Sequence, residues 1–188
     1  EISWQRNKVI TDQFEPGSTF KIVPLTAAVD QNTVSLWQEF NCENGSYTYA
    51  GHKIRDWDDF GLLTMPQIME NSSNVGVIKI AETLSQNNLY HYSRDLGFGM
   101  HTHISLAGEQ PGTLHQVSEW SKISLAEVSL GHEVAVTALQ LGMAYAAIAN
   151  GGFLMKPRLL KQIITSSGKK VYAEKPEVIR KVATKEVM

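Results

Sequence analysis

A chain of 188 residues has room for one domain or most of one, and enough length to bury a sizeable core. Seventeen Lys and Arg against nineteen Asp and Glu leave a net charge of −2, which gives no reason to expect nucleic acid as a partner. The single cysteine, Cys42, excludes an internal disulfide without fixing the compartment. With no basic residue beside it in sequence, it reads as a small packed side chain rather than a nucleophile.

Glu1-Ile2-Ser3-Trp4 opens the chain abruptly, without a signal peptide, as a fragment would. Glu15-Pro16-Gly17 is a turn that leads into an apolar helical pattern over Phe20 to Val29. If Ser18 opens that helix, Pro24 falls in its second turn and should bend or strain it. Asp56, Asp58 and Asp59 around Trp57 read as a solvated loop. Thr64-Met65-Pro66-Gln67 is a capping box that predicts a helix to about Glu70, with the proline tolerated in the first turn. Asn71 to Asn74 is a polar break, and a helical pattern resumes over Val75 to Leu84. Leu89 to Leu96 is a further helical stretch closed by Gly97. Phe98 to Thr113 is rich in glycine and reads as a loop. Val134 to Ala149 is the longest apolar run. It is short for a membrane span, which needs about 20 residues, so it predicts a buried helix. Thr137 and Gln140 cap its start, and Asn150-Gly151-Gly152 stops it.

After Gly152 the texture changes. Phe153 to Ile164 and Lys170 to Ala173 are strand-like around Ser166-Ser167-Gly168, which predicts a hairpin. The expected organisation is one α+β unit, with a helical region over about 14–152 and a β-rich appendage over 153–188. Helix should exceed strand, and strand should be concentrated after Gly152. Trp4, Trp37, Trp57 and Trp120 are scattered and assigned to packing or loop anchoring. His101-Thr102-His103, His115 and His132-Glu133 match no metal-ligand spacing and read as surface histidines, so no metal site is expected.

The chemistry of the chain concentrates in two short segments. Ser18 and Lys21 are three residues apart where a turn meets a helix, so the lysine can reach the serine hydroxyl. A serine hydroxyl is a weak nucleophile until a base takes its proton, and a lysine can be that base if burial lowers its pKa. The helix start adds a positive dipole end, and the Ser18 N–H could serve an oxyanion hole. Alone, this pair also fits an N-cap serine followed by a solvated lysine. The second segment is Ser72-Ser73-Asn74. A hydroxyl in a polar break can point into a cleft, and the Asn74 amide can hold a peptide group by donor and acceptor. The same residues also fit a helix cap.

S-x-x-K with S-D-N and K-T-G is the signature set of penicillin-binding proteins and class A β-lactamases, and Ser72-Ser73-Asn74 is a Ser-x-Asn element of the second kind. Two of the three elements are present, and Lys-Thr-Gly occurs nowhere in the chain. Phe14-Glu15-Pro16-Gly17-Ser18-Thr19-Phe20-Lys21 resembles the active-site text of the class B, monofunctional penicillin-binding proteins. Asn74-Val75-Gly76, Leu96-Gly97-Phe98-Gly99 and Leu106-Ala107-Gly108-Glu109 are similar to that family's helical region. Val136-Thr137-Ala138-Leu139-Gln140 is similar to its Val-Thr-Pro-Leu-Gln segment, with Ala138 in place of proline. Ala144 to Gly152, followed by Lys156-Pro157, is also close to family text. The resemblance is strongest to the division- and sporulation-associated branch.

This resemblance implies a partial penicillin-binding transpeptidase (serine β-lactamase-like) domain whose central sheet is incomplete. It implies a serine D,D-transpeptidase that crosslinks D-Ala-D-Ala stem peptides of peptidoglycan. Ser18 would attack the penultimate D-Ala carbonyl, Lys21 would accept its proton, and Ser72 would relay a proton to the leaving D-Ala. Asn74 would bind the substrate backbone. β-Lactam antibiotics would acylate the same serine, and no cofactor is implied. The expected location is the extracytoplasmic face of the bacterial membrane, anchored by a segment outside this chain and working with cell-division or elongation proteins. Without the Lys-Thr-Gly strand, the chain is expected to be a fragment that is inactive alone. A serine β-lactamase or β-lactam sensor, and a non-catalytic cell-wall assembly module, remain as alternatives. Acyl-enzyme lifetime separates the first alternative from a transpeptidase.

Overall fold

The structure is a computed structural model that describes residues 6–185 and residue 187. Trp4 and the opening tetrapeptide therefore lie outside the described residues. The first half is built on helices. Helix α1 spans Lys8–Thr11. A 3-10 turn over Gly17–Phe20 leads through Lys21 into α2, Ile22–Asp30. The α-helix thus starts later than Ser18. Pro24 sits in its first turn, where a missing N–H costs nothing, and the expected strain does not arise.

Two small antiparallel pairs follow. β1 (Glu39–Asn41) pairs with β4 (Leu62–Thr64), and β2 (Ser46–Tyr49) pairs with β3 (His52–Arg55). The β2–β3 turn is Ala50-Gly51, with φ of +48° and +85°, the left-handed conformation a two-residue hairpin needs. Then come α3 (Met65–Glu70), α4 (Asn74–Ala81) and α5 (Gln86–Asp95). Gln67 Oε1 accepts from the Thr64 N–H at 2.9 Å, so the predicted capping box is made on that side.

Helix α4 is the centre of the core. Val75, Val77, Ile78, Ile80 and Ala81 are all buried, and α4 packs against α2, α3 and α6 (Ser124–Ser129). A helix apolar nearly all round must be enclosed by its neighbours. Phe20, fully buried, stacks on Phe98 with ring centroids 4.9 Å apart, joining the start of α2 to the loop after α5. That loop has no regular structure from Phe98 to Gly112, as expected. Buried Gln140 holds it by donating to the carbonyls of Met100 and Pro111 at 2.8 and 2.7 Å.

Helix α7 (Ala138–Ala149) follows a short pair, β5 (Thr113–Leu114) with β6 (Val134–Ala135). The Thr137–Gln140 cap is made in both directions, at 2.9 and 3.3 Å. The expectation of a buried helix needs correction. Gln140, Ala144 and Ala147 line one buried face, while Gly142, Tyr145, Ala146 and Ala149 are exposed. The run is apolar chiefly through alanine and glycine, which are tolerated at a surface because they carry little area to bury.

Helix exceeds strand, as expected. Strand is densest after Gly152, as expected, with four strands over residues 153–188, although six short strands among the described residues precede it. They are two to four residues long, too short to show readable alternation. Beyond Gly152, the expected strand over Phe153 to Ile164 is broken around Lys156-Pro157. β7 (Phe153–Met155) pairs with β10 (Val178–Lys181), and β8 (Gln162–Ile164) pairs with β9 (Lys170–Ala173) as the predicted hairpin. β7 packs on α7 through buried Leu154, whereas β8 and β9 are exposed throughout. Among the described residues no sheet has more than two strands, so the central sheet is incomplete.

Candidate active site

Ser18 sits in the 3-10 turn and is exposed, whereas Lys21, three residues on, is fully buried at 1% exposure. That split suits a nucleophile that must meet substrate and a base that must be drawn away from water. Gly17, with φ of +54°, makes the turn into Ser18. Its N–H donates to the Gly131 carbonyl at 3.1 Å. The backbones meet so closely there that a Cβ on Gly131 would lie 2.2 Å from the Gly17 oxygen. Glu15 Oε1 accepts from the Glu133 N–H at 3.2 Å, and His132 Nδ1 lies 3.1 Å from Glu15 Oε2. On the other side, the Tyr145 hydroxyl donates to the Thr19 carbonyl at 2.8 Å.

The second segment closes over the first. Ser72 Oγ donates to Ser18 Oγ at 3.0 Å. Lys21 Nζ donates to Ser72 Oγ at 3.0 Å, to the Ser72 carbonyl at 2.6 Å and to Asn74 Oδ1 at 2.7 Å. All four candidate residues are therefore brought together. The contact expected directly between Lys21 and Ser18 is not among these bonds, because Ser72 stands between them. The reason is local. The ammonium has three N–H groups and finds three acceptors on the Ser72–Asn74 loop. Ser72 itself has φ of +53°, a strained conformation for a non-glycine residue, of the kind that clusters at functional sites.

Burial draws the Lys21 ammonium down to about 8, and the field of the Asp56 carboxylate pulls in the opposite direction. Asn74 is already engaged at both ends of its amide. Oδ1 accepts from Lys21, and Nδ2 donates to the Arg55 carbonyl at 2.8 Å. One Nδ2 hydrogen is left over for a further acceptor.

Sequence reasoning missed the support beneath this loop. Asp56, expected in a solvated acidic run, accepts from Ser73 Oγ at 2.7 Å, from the Val75 N–H at 3.1 Å and from the Asn74 N–H. Nothing local marks it, since its partners lie 17 to 19 residues downstream. Trp57 Nε1 donates to the Asn71 carbonyl at 2.8 Å, and Trp120 Nε1 to the His115 carbonyl at 3.0 Å, so both anchor loops as expected. Trp37 does neither and is 78% exposed. Cys42 is buried as expected, and burial raises its thiol pKa. His101, His103, His115 and His132 are all exposed.

Comparisons with known proteins bear on the family of the chain. Residues 3–188 match the family described as the penicillin binding protein transpeptidase domain. The chain is 33% identical over 180 residues to stage V sporulation protein D of Bacillus subtilis, covering 95% of this chain and 28% of that protein. It is 34% identical over 169 residues to the peptidoglycan D,D-transpeptidase FtsI of Escherichia coli, covering 90% and 28%. The chain thus spans about 28% of the length of these curated relatives. Among solved structures, it superposes on the transpeptidase domain of Burkholderia pseudomallei penicillin-binding protein 3. The TM-score is 0.87 at 29% identity, over 98% of this chain and 53% of that one. Penicillin-binding protein 3 of Mycobacterium tuberculosis, solved in complex with ampicillin, gives a TM-score of 0.87 at 27% identity, over 100% and 42%. The paired motifs, the fold and the matches converge on one assignment: the chain belongs to the transpeptidase domain family of the class B penicillin-binding proteins.

Proposed function

We propose that this chain carries the acylation machinery of a peptidoglycan D,D-transpeptidase, with Ser18 as nucleophile, Lys21 as base and Ser72 passing the proton between them. The observation that carries this reading is the continuous path from Ser18 Oγ to Ser72 Oγ to Lys21 Nζ, in two steps of 3.0 Å. Both are within the reach that proton transfer requires.

The resting geometry, with three acceptors around Nζ, belongs to the charged lysine. A group with a pKa of about 8 is roughly one-tenth neutral at pH 7, so the base form is accessible without being dominant. In that form, Lys21 takes the Ser72 proton as Ser72 takes the Ser18 proton. Ser18 Oγ bonds to the penultimate D-Ala carbonyl carbon. The C–N bond to the terminal D-Ala then breaks, and the proton returns through Ser72 to the leaving amine. The amine of a neighbouring stem attacks the acyl-enzyme, its proton follows the same path, and Ser18 is released. The spare Nδ2 hydrogen of Asn74 would hold a substrate carbonyl. Ser18 would react equally with a β-lactam carbonyl, with the opened ring left attached.

Stem peptides lie outside the cytoplasmic membrane, so the site works on that face, held there by a segment other than the helices described here. No helix among the described residues is long and apolar enough to cross a membrane. The relatives named as a stage V sporulation protein and a peptidoglycan D,D-transpeptidase support a role in building the cell wall.

Mass spectrometry after incubation with a penicillin tests the reading. A polypeptide joining this chain to a Lys-Thr-Gly segment should carry a stable adduct on Ser18, and Ser18→Ala should carry none. The 188-residue chain alone should label poorly, since losing even one oxyanion donor costs about 10²–10³-fold. An adduct that survives Ser18→Ala overturns the assignment. An adduct that hydrolyses quickly favours the β-lactamase reading, and a folded polypeptide that never labels favours the assembly module.

A further inference from the structure

The Ser72–Asn74 loop supplies every acceptor that Lys21 uses, and the end of α3 holds its start, with the Ser72 and Ser73 N–H groups donating to the Met69 and Ile68 carbonyls at 3.2 and 3.0 Å. Three consecutive residues, the last of β3 and the two after it, hold the rest. The Arg55 carbonyl takes the Asn74 side chain, the Asp56 carboxylate takes Ser73 Oγ and two successive N–H groups, and the Trp57 indole takes the Asn71 carbonyl. Asp56 is fixed in turn, because its own N–H donates to the Gly45 carbonyl at 2.9 Å. Gly45 is pressed so closely to the segment after Asp56 that a Cβ there would lie 2.3 Å from the Asp58 oxygen. Ser73 is fully buried, and its hydroxyl also accepts from the Gly76 N–H at 2.9 Å. The middle residue of the Ser-x-Asn element is therefore a structural link from Asp56 to the first turn of α4.

From this arrangement we infer that Asp56 is a positioning residue for the acylation site: its carboxylate holds the loop that presents Ser72 and Asn74 to Lys21, and so sets the proton path. The inference rests on the transpeptidase reading for its kinetic consequence. Asp56 touches neither Ser18 nor Lys21. It acts through the two N–H groups at the start of α4, where a carboxylate also meets the positive end of the helix dipole. Three bonds converge on one carboxylate, and hydrogen bonds to a charged group are about twice as strong as neutral ones. The side chains that meet Lys21 Nζ, Ser72 and Asn74, are uncharged. Asp56 is the charged group whose field reaches the lysine, and it favours the ammonium. Geometry and field thus have opposite kinetic signs. Holding the loop speeds proton transfer, while holding the charge on Lys21 reserves it for higher pH.

That opposition gives Asp56→Asn a signature that simple loosening would not produce. Asparagine keeps the shape and loses the charge. In the polypeptide with a Lys-Thr-Gly segment, the plateau rate of penicillin acylation should fall about tenfold, the loss expected when hydrogen bonds to a charged acceptor are weakened. At the same time, the rise of the rate with pH should move to lower pH. Ser73→Ala removes one anchor and leaves the carboxylate, so it should lower the plateau without moving the pH midpoint. Circular dichroism checks the fold of each variant. Should Asp56→Asn not fold, NMR of the unaltered 188-residue chain keeps the test open. The Asp56 carboxyl carbon should shift with the same midpoint as the Lys21 ε-carbon, because the two charges sense each other. A folded Asp56→Asn with an unmoved midpoint overturns the inference, as does an equal shift in Ser73→Ala or an Asp56 carbon blind to the lysine. In each of those cases, Ser18→Ala still abolishes labelling if the transpeptidase reading holds, so the two failures are distinguishable.

Discussion

The two motif segments are held in different ways. Ser18 and Lys21 are set in direction by their own sequence, with Gly131, Glu133 and Tyr145 bracing the turn from outside. The Pro16-Gly17 turn, the 3-10 start and the buried Phe20 between them set serine outward and lysine inward within four residues. Ser72 and Asn74 are shaped largely from outside. Their loop is carried on a carboxylate and two neighbours that arrive from a separate hairpin. A motif with local support can be read from spacing alone. A motif with imported support shows its residue types in sequence but hides what makes them work.

The largest effect should come from removing the residue that joins the halves. Lys21→Ala should slow penicillin acylation of Ser18 by about 10²–10⁴-fold, measured by stopped-flow in the polypeptide with a Lys-Thr-Gly segment. A loss under tenfold would mean that the lysine is not the base. Next comes the local half. Phe20→Ala should lower stability by about 3–5 kcal/mol, since the ring is fully buried against Phe98. Urea titration should show a lower midpoint at an unchanged slope.

The imported half is probed at Gly76, in the first turn of α4. A Cβ there would lie 2.6 to 2.9 Å from three carbons of buried Ile68. Gly76→Ala should cost about 1–3 kcal/mol through overpacking, despite alanine's better helix propensity. Gly142→Ala on α7 is the contrast. It meets nothing within 4 Å, so propensity alone acts, and stability should rise by about 0.5–1 kcal/mol. Effects of opposite sign at the two glycines would support the packing account, and destabilisation at both would refute it.

Much of the fold was legible where signals were local. The Thr64–Gln67 and Thr137–Gln140 caps placed two helix starts to the residue, because a capping box is a three-residue contact. Strands β1 to β4 were not legible. They are three or four residues long, and their central turn is Ala50-Gly51 rather than the Asn-Gly or Asp-Gly that marks a hairpin. The burial of α7 was overestimated because alanine counts as apolar whether or not anything covers it. In the site, Ser18, Lys21, Ser72 and Asn74 were identifiable from residue type, spacing and resemblance. The order of contact was not. That Ser72 intervenes between Ser18 and Lys21 depends on a loop folded over from 51 residues downstream. Asp56 was hidden for the same reason, since a carboxylate among polar residues looks solvated until its distant partners are in place.

The central claim is that buried Lys21 receives the Ser18 proton, and the pH dependence of Ser18 acylation tests it most directly. The base must be neutral, so the rate should rise with pH through a midpoint near the lysine's value of about 8 and level off above it. Lys21→Ala should lose that rise along with the rate. A profile that is flat from about pH 6 to 9, or a rise that persists unchanged in Lys21→Ala, would assign the proton to another group and contradict the relay.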